Sequence, residues 1–172
     1  RQADDMEFAS DALGQVLKRQ KLDIDVGNEG GYAPELASNQ QGLDFLVQAI
    51  EEAGYKPGEQ VSIALDVAAS ELFSQGRYSF EGKLVTAREL VELYTRWTSA
   101  YPIVSIEDGL AQDDWEGWAE ITRVLGGKIR VVGDDVFVTN AERLKLGFSF
   151  GAANAIIIKP NQVGTLSETV AT

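Results

Sequence analysis

Three acidic residues and one lysine carry the chemistry this sequence announces, each placed directly after a short apolar run. Val61-Ser62-Ile63-Ala64-Leu65 leads into Asp66, Ile103-Val104-Ser105-Ile106 into Glu107, Ile129-Arg130-Val131-Val132-Gly133 into Asp134, and Ala155-Ile156-Ile157-Ile158 into Lys159. Asp66, Glu107 and Asp134 are hard oxygen donors. Three such carboxylates brought together repel one another unless a cation sits between them. Mg2+ fits best, because it takes carboxylate oxygen and keeps positions for water or substrate oxygens. A lysine beside a bound dication has its charged form disfavoured. The neutral amine is then a competent general base. The chemistry is removal of a proton from a carbon next to a carboxylate, with the metal stabilising the negative charge left behind. A lone aspartate at a strand end more often caps the next helix or binds loop backbone, and none of the three outweighs that reading singly. Charged residues at four successive strand ends do outweigh it.

The elements that position these residues are legible from periodicity. Short, β-branched, nearly continuous apolar runs suit strands of a parallel sheet covered on both faces. Helical patterns alternate with them. Ser38-x-x-Gln41 and Thr86-x-x-Glu89 read as capping boxes ahead of amphipathic helices, and Thr139-x-x-Glu142 and Thr165-x-x-Glu168 read as two further caps. A helix begins near Asp113 or Asp114 and buries Trp115, Trp118 and Thr122, and another covers residues 6–20. Leu22–Val26 reads as a short strand before a Gly-rich loop, and residues 74–84 as an exposed excursion with the character of a small hairpin. Five strands, each followed by a loop and a helix, imply an α/β fold with a parallel sheet and right-handed crossovers. An open doubly wound sheet usually announces a phosphate loop, and neither G-x-x-x-x-G-K-[ST] nor a credible G-x-G-x-x-G occurs here. Functional residues on many successive strand ends favour a partial (β/α)8 barrel, whose complete form needs about 250 residues. About five units leave sheet edges unpaired, so the isolated chain is expected to be marginally stable and inactive.

Asp108 and Asp135, next in sequence to two of the acids, should point the other way and serve the loops or support the ligands. Trp115 and Trp118 read as core or barrel-surface packing, and Asp113-Asp114 as a solvated helix start. The net charge of −12 argues against nonspecific binding to nucleic acid or anionic membrane. With no cysteine there is neither a disulfide framework nor a thiolate zinc site. Histidine, the commonest general base, is also absent. No apolar stretch approaches a membrane span and no secretory signal pattern appears. The first residue is Arg1 and the chain stops at Thr172 inside a helical pattern, which reads as an internal piece of a longer protein.

A second signal is Val26-Gly27-Asn28-Glu29-Gly30-Gly31-Tyr32-Ala33-Pro34. Glycines beside one acid permit turns other residues resist, and can bring Glu29 over a barrel mouth. A plain Gly-rich surface loop explains the same residues equally well.

These runs carry a family resemblance. G-N-E-G-G-Y-A-P resembles the G-D-E-G-G-x-A-P loop of the enolase family. L-D-V-A-A-S-E (Leu65 to Glu71), S-I-E-D-G-L (Ser105 to Leu110) and D-D-W-E-G-W (Asp113 to Trp118) are similar to its next segments. G-D-D-V-F-V-T-N (Gly133 to Asn140) and K-P-N-Q-V-G-T-L-S-E-T (Lys159 to Thr169) complete the set in family order. The resemblance implies that residues 1–172 belong to a C-terminal TIM-type barrel catalytic domain. It also implies a Mg2+-dependent lyase of glycolysis that interconverts 2-phospho-D-glycerate with phosphoenolpyruvate and water. It assigns Asp66, Glu107 and Asp134 as metal ligands and Lys159 as the base at C2. Glu29 becomes the acid that helps the C3 hydroxyl leave, with Glu107, Asp134 and Lys159 lying against substrate. It further implies a cytoplasmic homodimer or higher homo-oligomer acting on a small molecule. Asn28 stands where the family has aspartate, and Pro160 where a branched apolar residue is common. The family's S-H-R-S-G-E-T segment and second active-site lysine are expected beyond Thr172, and its N-terminal domain and first barrel strands before Arg1. Two other readings stay open: an enolase-superfamily racemase or lactonising enzyme, and a non-catalytic enolase-like binding protein.

Overall fold

A computed structural model describes residues 2–28 and 30–172, with side chains from Glu7 onward. It divides into two compact units, Arg1–Ile63 and Ala64–Thr172. In the first, helices α1 (Gln2–Arg19) and α2 (Asn39–Glu52) pack through Val16, Leu17, Phe45 and Ala49. Ser38 caps α2 by accepting the Gln41 N–H. The reciprocal arm of the expected box reaches one residue further back, the Gln41 side chain accepting from the Ala37 N–H at 2.8 Å.

The segment Leu22–Val26 is not a strand. Its alternating pattern satisfies period 2, but its polar groups are spent locally. The Asp23 carboxylate accepts the Asp25 N–H at 2.9 Å, and Val26 forms a single bridge to Tyr32 that closes the glycine loop on itself. A short acid bonding its own backbone competes directly with a strand ladder. Glu29 lies outside the described residues.

The second unit carries the sheet. Strand β1 (Ile63–Asp66) starts at the unit boundary. A meander of β2 (Phe73–Ser74), β3 (Arg77–Phe80) and β4 (Lys83–Val85) follows. Its turns place Gln75-Gly76 and Glu81-Gly82 at positive φ, the conformation that matches the right-handed twist of a tight hairpin. The expected excursion is thus three-stranded, and it is anchored rather than wholly exposed, because Tyr78 on β3 is fully buried.

Helix α3 (Ala87–Ala100), opened by the Thr86/Glu89 capping box, leads to β5 (Ile103–Glu107). Helix α4 (Trp115–Leu125) leads to β6 (Arg130–Gly133), and α5 (Ala141–Phe150) to β7 (Ala155–Ile156). Two short helices, α6 (Pro160–Val163) and α7 (Leu166–Ala171), follow. The sheet order is β1-β5-β6-β7. Parallel registers of Glu107 with Val132 and Val132 with Ala155 align the strand ends. The sheet therefore has four strands rather than five, and it does not close among the described residues, as a partial barrel requires. Tyr94, Ile106, Leu110, Trp118, Ile121 and Phe137 form much of its buried helix-facing core.

Asn140, not Thr139, caps α5, accepting the N–H groups of Glu142 and Arg143. Thr139 is instead fully buried in the left-handed region at φ 51°. No described helix is long and apolar enough to cross a membrane.

Candidate metal centre at the strand ends

Parallel strands in register deliver their last residues to one edge. Asp66 and Glu107 are the final residues of β1 and β5, Asp134 follows β6 directly, and Lys159 lies three residues beyond β7. The backbone at this edge is unusual. Ala68, Asp108, Val138 and Thr139 all have φ between 42° and 51°. Non-glycine residues rarely enter that region, least of all β-branched ones, and they persist where surrounding structure over-determines them.

The Lys159 ammonium pairs with Asp134 Oδ2, and Gln162 Nε2 donates to Asp134 Oδ1 at 2.7 Å. Both oxygens of this buried carboxylate are therefore engaged from the β7 side. Asp66 Oδ1 accepts the Ala68 N–H at 3.1 Å, which tightens the turn after β1. Glu107 sits between these neighbours. Burial pushes its carboxyl up to about 7, with further push from Asp66, Asp134 and Asp108. Lys159 is held above its ordinary value, chiefly by its hydrogen bond to Asp134.

Asp108 is the link between the acids. Buried after Glu107, it accepts the Asp134 N–H at 3.1 Å on Oδ1 and the Asp135 N–H at 2.8 Å on Oδ2. Among the described residues, two carboxylate groups have ligand atoms within 4.8 Å of one another: Asp66 with Glu107 and Asp108, and Asp108 with Asp134 and Asp135. The structure thus sets Asp66 and Glu107 together and Asp134 beside Lys159, with Asp108 common to both groups. Burial raises the Asp108 carboxyl, while its two backbone donors oppose that shift.

A family model for the enolase C-terminal TIM barrel domain matches residues 8–172. The chain belongs to that family. Its donor set fits the metal which the enolase fold implies. The atoms offered are hard carboxylate oxygens, and a dication would relieve the crowding of Asp66, Asp134 and Asp108 around the buried Glu107 carboxyl. Asp108 takes the supporting role expected of it, although it and Asp135 lie with the other acids rather than pointing away from them. Two participants escape a reading of spacing alone: Gln162 and Thr139 reach the site only through the fold. The one local hint was that Gln162 stands three residues after Lys159, on the same side of a helical turn.

Proposed function

We propose that this chain carries the metal and base half of a phosphopyruvate hydratase site, a Mg2+-dependent lyase interconverting 2-phospho-D-glycerate and phosphoenolpyruvate. The observation that supports it is the pairing of Lys159 with Asp134 beside Glu107, at the carboxyl edge of a parallel sheet. Asp66, Glu107 and Asp134 are the residues that would hold Mg2+. Bound there, the ion would supply positive charge against the acids and against the negative charge that develops on the substrate carboxylate.

The remaining work belongs to side chains. Lys159 is the cation that faces Glu107 among the described residues, and its amine takes the proton from C2. The amine acts only from its neutral form, so its ammonium proton must leave before the step. Glu29 donates a proton to the C3 hydroxyl, which departs as water. One proton removed and one supplied balance the loss of water. Asp134 orients Lys159 through their ion pair, and Glu107 and Asp134 would lie against substrate.

The test uses the full-length protein and 2-phosphoglycerate labelled at C2, with Mg2+ present. Lys159→Ala lowers isotope loss from C2 by about 100- to 10,000-fold, the usual contribution of a positioned base. Glu29→Gln slows dehydration while exchange continues, because the base acts before the hydroxyl leaves. Exchange at the parent rate in Lys159→Ala would place the base elsewhere. Equal loss of exchange in both variants would remove the division of roles.

A further inference from the structure

Four residues near the strand ends form a closed ring of polar contacts. The Lys159 N–H donates to Thr139 Oγ1 at 2.9 Å, and Thr139 Oγ1 donates to Gln162 Oε1 at 2.6 Å. Gln162 Nε2 donates to Asp134 Oδ1 at 2.7 Å, and the Lys159 ammonium closes the ring on Asp134 Oδ2. The polarity of the ring is determined throughout. A backbone N–H can only donate, so the Thr139 hydroxyl receives from Lys159 and turns its own proton to Gln162. That proton selects the carbonyl end of the Gln162 amide, which leaves the NH2 end facing Asp134. An amide free to flip would present its carbonyl oxygen to the carboxylate and repel it.

We propose that Thr139 and Gln162 are positioning residues that hold the Asp134 carboxylate and Lys159 in one arrangement. Thr139 anchors the lysine backbone and Gln162 fixes the carboxylate that receives the lysine side chain. Lys159 is therefore held at both ends by groups that communicate through one hydroxyl. The fold invests in this hydroxyl. Thr139 is fully buried, stands at positive φ where a β-branched residue is disfavoured, and leaves the capping of α5 to Asn140. A threonine needed only as a cap would occupy position 140. Partners that orient a ligand commonly change metal affinity by 10- to 100-fold when removed.

This inference rests on the reading of Asp134 as a Mg2+ ligand, and the experiment separates the two. Mg2+ binding to the purified protein is measured calorimetrically without substrate, for the parent, Asp134→Asn, Thr139→Val, Thr139→Ser and Gln162→Leu. Circular dichroism checks that each variant is folded. Asp134→Asn abolishes binding. Thr139→Val and Gln162→Leu weaken it by about 10- to 100-fold, and Thr139→Ser, which keeps the hydroxyl, restores the parent value. Gln162 is only partly buried, so Gln162→Leu tests the ring even if Thr139→Val fails to fold. Parent-like Mg2+ affinity in Gln162→Leu, with binding lost in Asp134→Asn, would overturn the positioning role alone. Parent-like affinity in Asp134→Asn would overturn the metal assignment and the positioning role with it.

Discussion

Asp108 holds the backbone of Asp134 from the neighbouring strand, its Oδ1 accepting the Asp134 N–H at 3.1 Å while Oδ2 takes the N–H of Asp135. The acid that follows β5 thereby sets the direction in which the chain leaves β6, and with it the place of the Asp134 carboxylate. A buried carboxylate accepting two N–H groups is expensive to remove, since both donors lose their partner.

Asp108→Ala is expected to destabilise the protein by about 1–3 kcal/mol for the donors left without acceptors. The measurement is urea unfolding, read as a lower midpoint at unchanged slope. Asp108→Asn retains one acceptor oxygen and tolerates the positive φ of this position, so its loss should be smaller. Equal midpoints for Asp108→Ala and the parent would show that the two bonds contribute nothing to stability.

The raised Glu107 carboxyl sets a pH dependence with a definite sign. Its folded value of about 7 lies above the ordinary 4.5, so the folded state binds the extra proton between those values. Without metal, its favourable contribution is complete below 4.5 and is lost as pH rises through about 7. Mg2+ needs the ionised carboxylate, so the increase in melting temperature on adding Mg2+ should be larger at about pH 8 than at about pH 6. Thermal melts at the two pH values check this. An equal Mg2+ increment at both would separate Glu107 from the metal.

Tyr78 ties the meander to the loop after β5. Its hydroxyl donates to Asp114 Oδ2 at 2.7 Å and accepts the Ala111 N–H at 3.0 Å, while Asp114 Oδ1 caps α4 through the Gly117 N–H. Burial and the Asp114 carboxylate push the phenol well above its ordinary value, so it remains a donor throughout the working pH range. Tyr78→Phe keeps the ring and deletes the oxygen. The expected cost is about 1–3 kcal/mol, with faster hydrogen exchange at the Ala111 amide. Unchanged protection of that amide would show that the bond is not maintained in solution.

The sequence by itself determined the elements and their chemistry at short range. Continuous β-branched runs marked β1, β5 and β6, Thr86 and Glu89 marked the start of α3, and the residues after the runs marked the carboxyl edge where acids and a lysine would gather. These signals act within a few residues, through strand period and caps, and they survive folding unchanged. Signals of the same kind misled where a local bond competed, as in Leu22–Val26, where Asp23 turned an alternating pattern into a loop, and at Thr139, displaced as a cap by its neighbour Asn140. A supporting role for Asp108 was legible beside Glu107, but only the tertiary structure decided that it holds the Asp134 backbone, that Gln162 and Thr139 link Asp134 to the Lys159 backbone, and that Glu107 is raised. Those facts depend on parallel registers such as Val132 with Ala155, which bring residues more than 20 positions apart into hydrogen-bond distance. They also depend on desolvation, which no single segment can supply because burial is created by the strands and helices together.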